Sequence, residues 1–464
     1  MIDHVTSAPA PTPNIIIEGD CIEVMARWPD ACVDHCIADP PFGIASGGGR
    51  GGKGKGLGWA FSSHVTMQEA WDRFSQDEFF QFNVRWLTEV CRVVKPNGNL
   101  LVFGAFHNIY QLGFILQNVL HRRILNSIIW FKPNAQPNIT ARTLTESTEQ
   151  IIWAVNETPK RAKNWTFNYW EAKDLAGGKQ MRNLWNGDAW NVWAVPIAPQ
   201  SEKRAGSHPA QKPLELTDRL VLLASRQGDL ILDPFAGVGG VGISAARYLR
   251  KYVLIDHSRT YVDIADERLR EFTEGREGRI LRRLGETEMT LNDAELTILR
   301  TVPVPQADDL DLVFQVPDFV DEGHDTRAAI AERLKYVGRQ GPYYGDAAMA
   351  LRLVGITRTA TAEGADRLHV TPIGRGYLEE SEATKQARKR FIVLNSPIVK
   401  YVASQLGITN NGEAPGFPPP QKILDEGAVA SVLQQFDLSR DTAERRAHTI
   451  CGWIHQLLSS APAP

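Results

Sequence analysis

The sequence predicts an α/β fold built on a mostly parallel sheet, and three features of residues 14–275 predict it. Short apolar segments recur along this stretch, amphipathic helical patterns separate them, and turns rich in glycine and proline directly follow two of the apolar segments. Strands that are apolar throughout, alternating with helices, make a parallel sheet covered on both faces. Ligands of such sheets bind outside the carboxyl ends of the strands, so the residues just after each strand carry the functional reading.

Taken in order, the Pro/Ser/Thr-rich residues 1–13 read as an unfastened tail. Asn14–Ile17 is a strand, Cys21–Trp28 a short helix and Val33–Ala38 a buried strand. Helical periodicity covers Phe79–Cys91 and Asn108–Asn118, while Leu100–Phe103, Ile124–Phe131 and Gln150–Val155 repeat the strand pattern. Leu214–Ser225 is a helix, Leu230–Asp233 a strand, Val241–Tyr248 a helix, Tyr252–Asp256 a strand and Tyr261–Phe272 a helix. The sheet is therefore expected to have seven strands. Residues 276–325 read as a connector, because seven acidic side chains and no Lys or Arg fall within 303–325. Residues 326–460 read as a smaller, mainly helical C-terminal domain, with helices at Arg327–Tyr336 and Tyr344–Leu353. Within it, Arg367–Thr371 and Gly374–Leu378 resemble the wing and following helix of a winged-helix module.

Composition narrows the classes. At 464 residues the chain is too long for one ordinary core, and 43% hydrophobic with 23% charged residues describes a soluble globular protein. A formal net charge of -3 supplies no global positive field, so any nucleic acid must be held by a local basic surface. The cysteines are odd in number, five with no CxxC pair, and the start has no basic segment leading into an apolar one. Both features point to a reducing cytoplasm. Apolar runs are interrupted well before 18 residues, so no membrane span and no membrane partner are expected.

Val33–Ala38 runs straight into Asp39-Pro40-Pro41-Phe42-Gly43. Two prolines lock φ and lack N–H groups, so the backbone leaves the ladder stiffly and aims the Pro40 carbonyl and the Asp39 carboxylate at one point. Two converging acceptors suit an amino group with two hydrogens, and the Phe42 ring suits stacking on a planar heterocycle. A rigid turn with a solvated Asp is the plain alternative. The stretch 47–58 then mixes glycines with Arg50, Lys53 and Lys55, a composition that buries little and suits a phosphate backbone.

Later, Leu230–Asp233 leads into Asp233-Pro234-Phe235-Ala236-Gly237-Val238-Gly239-Gly240 and then a helix. Glycines at a strand-to-helix turn permit positive φ and close approach of backbone to a ligand. Asp256 ends the next strand, where an acidic side chain meets ribose hydroxyls, and Asp233 is placed to accept from an ammonium group. No Lys-Ser/Thr pair follows the glycines, which argues against a P-loop. A ligand with an amine and a ribose but no phosphate fits: S-adenosylmethionine, leaving S-adenosylhomocysteine as product. No metal is required.

Together these motifs resemble the DNA amino-methyltransferases, specifically the permuted (beta-type) adenine group in which a D-P-P-[YF] motif precedes the F-x-G-x-G cofactor motif. Asp39–Phe42 matches the first and Phe235–Gly239 the second. His208-Pro209-Ala210-Gln211-Lys212-Pro213 matches the family's H-P-x-Q-K-P, and Gly19-Asp20-Cys21 its G-D-C. The resemblance covers residues 14–272 and implies a Rossmann-like methyltransferase fold. It assigns catalysis to Asp39, Pro40, Pro41 and Phe42. Cofactor contacts fall to Asp20, Lys212, Asp233, Phe235, Gly237, Gly239 and Asp256. Phe42 replaces the commoner Tyr, Val238 and Gly240 replace Ser or Thr, and Asp256 replaces Glu. Cytosine-specific relatives typically carry Ser where Asp39 stands, so adenine is expected.

Residues 156–207 interleave aromatic with basic side chains, Arg182 among them, and form the candidate target-recognition segment. Lys132 and Asn134, after the strand ending at Phe131, and Lys389 and Arg390 in the C-terminal domain complete the expected DNA contacts. Double-stranded DNA is the expected partner, with a homodimer and a separate cognate restriction endonuclease as further partners. The expected setting is a bacterial or phage-encoded protein at the nucleoid. Cytosine amino-methylation, methylation of RNA or protein, and an inactive DNA-binding homologue stand as alternatives. The last two are opposed by Asp39, where protein- and RNA-directed relatives carry Asn, and by the joint presence of Asp39–Phe42 and Asp256.

Overall fold

Strands β1 (Ile15–Glu18), β2 (His35–Ala38), β3 (Asn99–Gly104), β4 (Arg123–Phe131), β5 (Thr148–Val155), β6 (Leu230–Asp233) and β7 (Lys251–Asp256) form one seven-stranded sheet in the order β1-β7-β6-β2-β3-β5-β4. This is a computed structural model, and it describes residues 9–42, 75–106, 108–132, 134–135, 144–169, 198, 202, 211–286, 291–335, 341–357, 367–408 and 421–459. The chain divides into two compact units, residues 1–169 with 182–272 and residues 170–181 with 273–464.

In the first unit β2 is central, and its residues His35, Cys36, Ile37 and Ala38 are all buried. It pairs in parallel with β3 and β6, while β6 pairs with β7 and β7 with β1, also in parallel. β5 is the exception, running antiparallel to both β3 and β4. Reversal brings its first residues, instead of its last, to the carboxyl edge of the sheet. The helices are α1 (Cys21–Met25), α2 (Gln76–Val93), α3 (Ile109–Phe114), α4 (Leu214–Ala224), α5 (Gly240–Arg247) and α6 (Arg259–Glu274).

α1 is shorter than the periodicity predicts, because Arg92 of α2 takes the carbonyls of Met25 and Trp28 at 2.6 and 2.7 Å. A capping box closes the start of α2, with Ser75 Oγ accepting from the Glu78 amide and Glu78 Oε2 from the Ser75 amide. The last turn predicted for α3 is wound wider, as a π-helical turn over Ile115–Val119.

The second unit is mainly helical: α7 (Arg276–Gly285), α8 (Asp293–Thr301), α9 (Leu310–Val313), α10 (Val316–Asp321), α11 (Arg327–Arg333), α12 (Gly341–Ala350), α13 (Pro372–Leu378), α14 (Glu382–Leu394), α15 (Pro397–Gln405), α16 (Glu426–Leu433) and α17 (Arg440–Ser459). One antiparallel pair, β8 (Val354–Thr357) with β9 (Arg367–Val370), precedes α13. Residues 276–325, read from the sequence as a connector, belong to this unit as α7–α10. The acidic side chains there alternate with Leu310, Val313, Phe314, Val316 and Phe319, which are buried. The carboxylates cap and pair: Asp309 caps α9, Asp311 binds Lys389 at 2.6 Å, and Asp321 binds Arg375 at 2.7 Å. Gly374, in the first turn of α13, is required by packing, since a Cβ there would meet the Leu353 carbonyl oxygen at 2.1 Å. No described helix is long and apolar enough to cross a membrane.

Candidate active site

Two neighbouring strand ends build the site. β2 leaves the sheet at Ala38 and continues into Asp39-Pro40-Pro41-Phe42, while β6 beside it ends at Asp233, with Cys36 opposite Leu232 in the parallel register. Asp233 Oδ1 accepts from the Phe235 amide at 3.0 Å and turns the chain out of the strand. Asp256, at the end of β7, then shapes the glycine turn. Its Oδ2 accepts from the Gly237 amide at 2.8 Å and its Oδ1 from the Ser258 amide at 2.9 Å. Buried Arg268 of α6 donates to the Val238 carbonyl. Gly239 sits at φ +76°, where a Cβ would stand 3.0 Å from the Ala265 methyl.

Both turns open onto one cleft of about 960 Å³, part of it open solvent, lined on one side by Asp39–Phe42 and Phe103 and on the other by Asp233, the glycine turn and Asp256. Phe235 also borders it, though its ring is chiefly core, edge-on to Trp86 at 5.0 Å.

The Asp39 side of the cleft carries a line of alternating charges. Lys212 Nζ lies 2.7 Å from Asp39 Oδ2 and 3.2 Å from Glu149 Oε2, and Lys132 Nζ lies 3.2 Å from Glu149 Oε1. The Phe42 and Phe103 rings flank the Lys212 ammonium, with centroids at 5.2 and 5.3 Å. Lys212 reaches this place because Pro213 follows it, which keeps its backbone out of α4.

Burial pushes the Asp39 carboxyl up, Lys212 draws it back and Glu149 pushes it up again, leaving it at about 6. Burial also lowers Lys212, but the Asp39 and Glu149 carboxylates outweigh that and hold it at about 12. For Glu149 the two lysines outweigh burial and hold the carboxyl below its ordinary range. Asp233 is pushed well up by burial, with Asp39 and Asp256 adding to the rise. Asp256 is pushed up by burial, partly offset by the two amides that it accepts from.

Asp39, Pro40, Pro41, Phe42, Lys212, Asp233, Phe235, Gly237 and Asp256 thus line one cleft, and Gly239 lies in the turn that borders it. Lys212, expected beside the cofactor, is bonded to Asp39, because a buried ammonium needs carboxylates around it. Asp20 is absent from the lining and caps α1, accepting from the amides of Ile22 and Glu23 at 2.9 and 3.1 Å. Lys132 pairs with Glu149, Asn134 is exposed after β4, and Lys389 pairs with Asp311. Arg390 is partly buried on α14. Arg50, Lys53, Lys55 and Arg182, together with His208–Ala210, lie outside the described residues.

Sequence reasoning missed Glu149 and Phe103. The signal for Glu149 was available: no helical pattern separates the fourth and fifth predicted strands. That favours a reversed strand whose opening residues reach the ligand edge.

Residues 33–267 match the profile of a family described as DNA methylase. The chain belongs to the DNA methylase family. Residues 318–461 match a second family, described as a domain of unknown function (DUF7226). Among curated relatives of this methylase chain, the Type II methyltransferase M2.DpnII of Streptococcus pneumoniae is 35% identical over 257 residues, 55% of this chain and 89% of the relative. The Type II methyltransferase M2.LlaDCHI of Lactococcus lactis subsp. cremoris is 35% identical over 257 residues, 55% of this chain and 88% of the relative. The Type II methyltransferase M2.MboI of Moraxella bovis is 33% identical over 260 residues, 56% and 88% of the two chains. Apart from residues 170–181, the DNA methylase match falls within the first unit, which holds the cleft.

Proposed function

We propose that the chain is a site-specific DNA methyltransferase that moves a methyl group from S-adenosylmethionine to the exocyclic amino group of adenine in duplex DNA. One observation carries the reading: the Asp39 carboxylate, with Oδ1 buried and without a hydrogen-bond partner among the described residues, faces the cavity that the glycine turn also lines. The three relatives, each named a Type II methyltransferase, support it.

The glycine side of the cleft fits S-adenosylmethionine. A Cβ on Gly240 would meet no atom of the described residues within 4 Å, so backbone is open to close approach there. Gln211 Oε1, on the cleft wall, is buried without a hydrogen-bond partner among the described residues. Asp256 and Asp233 offer acceptors for ribose hydroxyls and an ammonium. When bound, this cofactor supplies a methyl carbon on a positive sulfur that leaves as a neutral thioether.

The chain's own residues do the rest. An amine conjugated to a heterocycle is a poor nucleophile, because its lone pair is delocalised. Asp39 Oδ1 and the Pro40 carbonyl accept the two amine hydrogens, favour a pyramidal nitrogen, and offset the positive charge that develops on it. These contacts strengthen toward the transition state and therefore raise rate. Asp39 then takes the proton that the methylated nitrogen sheds. The target sits inside a stacked duplex, so the base is flipped out, and stacking on Phe42 returns about 1–3 kcal/mol.

The motif order supports membership of the permuted group, and Asp39 favours adenine over cytosine. DNA contact is assigned to Lys132 and Asn134 at the β4 end, to Arg50, Lys53, Lys55 and Arg182, and to Lys389 and Arg390 in the second unit. There the β8–β9 hairpin followed by α13 supports a winged-helix-like reading. A homodimer and a separate restriction endonuclease complete the proposed setting.

An Asp39→Ala protein is expected to bind S-adenosylhomocysteine and DNA as the parent does, yet to transfer no labelled methyl to adenine in unmethylated DNA. Undiminished turnover would reject the assignment.

A further inference from the structure

We propose that Lys212, braced by Glu149, is a positioning residue that clamps Oδ2 of Asp39 and leaves Oδ1 turned to the substrate amine. The inference rests on the methyltransferase reading and deepens it.

A carboxylate at a strand end can rotate about its last torsion, and either oxygen then meets the amine. Here rotation is stopped. Oδ2 is held by Lys212 at 2.7 Å, while Oδ1 is buried without a hydrogen-bond partner among the described residues. The clamp is itself held. Lys212, with only 8% of its side chain exposed, is bracketed by Glu149 at 3.2 Å and by the Phe42 and Phe103 rings. Glu149 in turn is held by Lys132.

Lys132, Glu149, Lys212 and Asp39 alternate in sign and sum to zero, so the line is neutral and ends on Asp39 Oδ1, which has no donor among the described residues. An unpaired ammonium would be expelled from such a place, and an unpaired carboxylate would protonate. The charged groups acting on Asp39 are Lys212, which favours its ionised form, and Glu149, which opposes it, while Asp39 in turn adds to the rise of Asp233. Lys212 itself stays an ammonium at neutral pH, standing at about 12, so it orients the carboxylate and takes no proton.

Removing the two clamp members therefore has opposite consequences, which a merely structural role would not produce. The experiment follows the Asp39 carboxyl by NMR in protein carrying carbon-13 in its Asp carboxyls, assigned by loss of the signal in Asp39→Asn. The pH profile of kcat/KM on unmethylated genomic DNA is recorded in parallel. Lys212→Met is expected to raise the titration of Asp39 and the acid limb of activity together, by about 1–3 pH units. Glu149→Gln is expected to lower both, and Lys212→Arg to return them toward the parent. If Lys212→Met does not fold, Lys212→Gln, which keeps a donor for Oδ2 without the charge, carries the same upward expectation.

Unmoved titrations in folded variants would overturn the clamp. So would loss of S-adenosylhomocysteine binding in Lys212→Met with Asp39 titrating as before, which would return Lys212 to the cofactor. If the titrations move as expected while the parent methylates no DNA, the clamp stands and the methyltransferase reading fails.

Discussion

Gly239 adopts φ +76°, in the left-handed region that costs a residue with a Cβ about 1–2 kcal/mol, and a methyl there would press on Ala265 at 3.0 Å. Its neighbour Gly240 opens α5, and a Cβ there meets no atom of the described residues within 4 Å. Gly239→Ala is therefore expected to lower the melting temperature and weaken S-adenosylhomocysteine binding, as the turn that lines the cleft at Gly237 shifts. Gly240→Ala is expected to leave stability unchanged or raise it by up to about 1 kcal/mol, the helix preference of Ala over Gly. Paired melting curves and calorimetric titrations check both, and equal losses in the two variants would contradict the assignment of strain to Gly239. The need for glycine in this turn was legible in the sequence, because a run of glycines between a strand and a helix has few other physical uses. The partner of Asp39 was not. Lys212 lies far along the chain in a motif that reads as cofactor-facing, and only the fold brings its ammonium to the carboxylate.

At the scale of elements, all seven strands were legible from apolar segments of the right length, and so were the helices between them. Strand direction was not, because apolar content is the same either way. β5 is set antiparallel by its pairing to β3 and β4, and that reversal carries Glu149 to the ligand edge. Residues 276–325 were misread for a related reason: counting carboxylates hides the apolar residues between them, and the partners of those carboxylates lie later in the chain. α8 illustrates how such charges work. Glu295 closes a capping box with Asn292 and also accepts from Arg352 at 3.2 Å and Lys400 at 2.8 Å. Its side chain is 5% exposed, while those of Arg352 and Lys400 are 27% and 28% exposed. Removing a buried partner leaves the opposite charge uncompensated, so Glu295→Ala is expected to destabilise the second unit by about 3 kcal/mol, the low end for a buried pair because water reaches the remaining cations. Urea unfolding followed by circular dichroism measures this, and a loss below about 1 kcal/mol, the value of a surface pair, would show that the cluster contributes little.

At the scale of the whole molecule, two compact units carry two different family matches, and the cleft belongs to the first. A ligand that binds only the native first unit stabilises that unit alone by mass action, by about 2.7 kcal/mol at a hundredfold excess over Kd. For a unit of this size, about 2–4 °C per kcal/mol converts that gain into a rise of roughly 5–10 °C. Heating the full chain is therefore expected to give two transitions, of which saturating S-adenosylhomocysteine moves one. Hydrogen exchange assigns them. Amides of β6, α5 and β7 should gain protection with the ligand, whereas those of α9–α11 and α17 should exchange as before. The same pattern is expected in Asp39→Ala, which keeps the glycine turn, and it should be blunted in Gly239→Ala. A single transition displaced as a whole, with protection rising equally in α17, would mean that the second unit depends on the cofactor cleft for its stability. The expectation that the two units unfold separately would then fail.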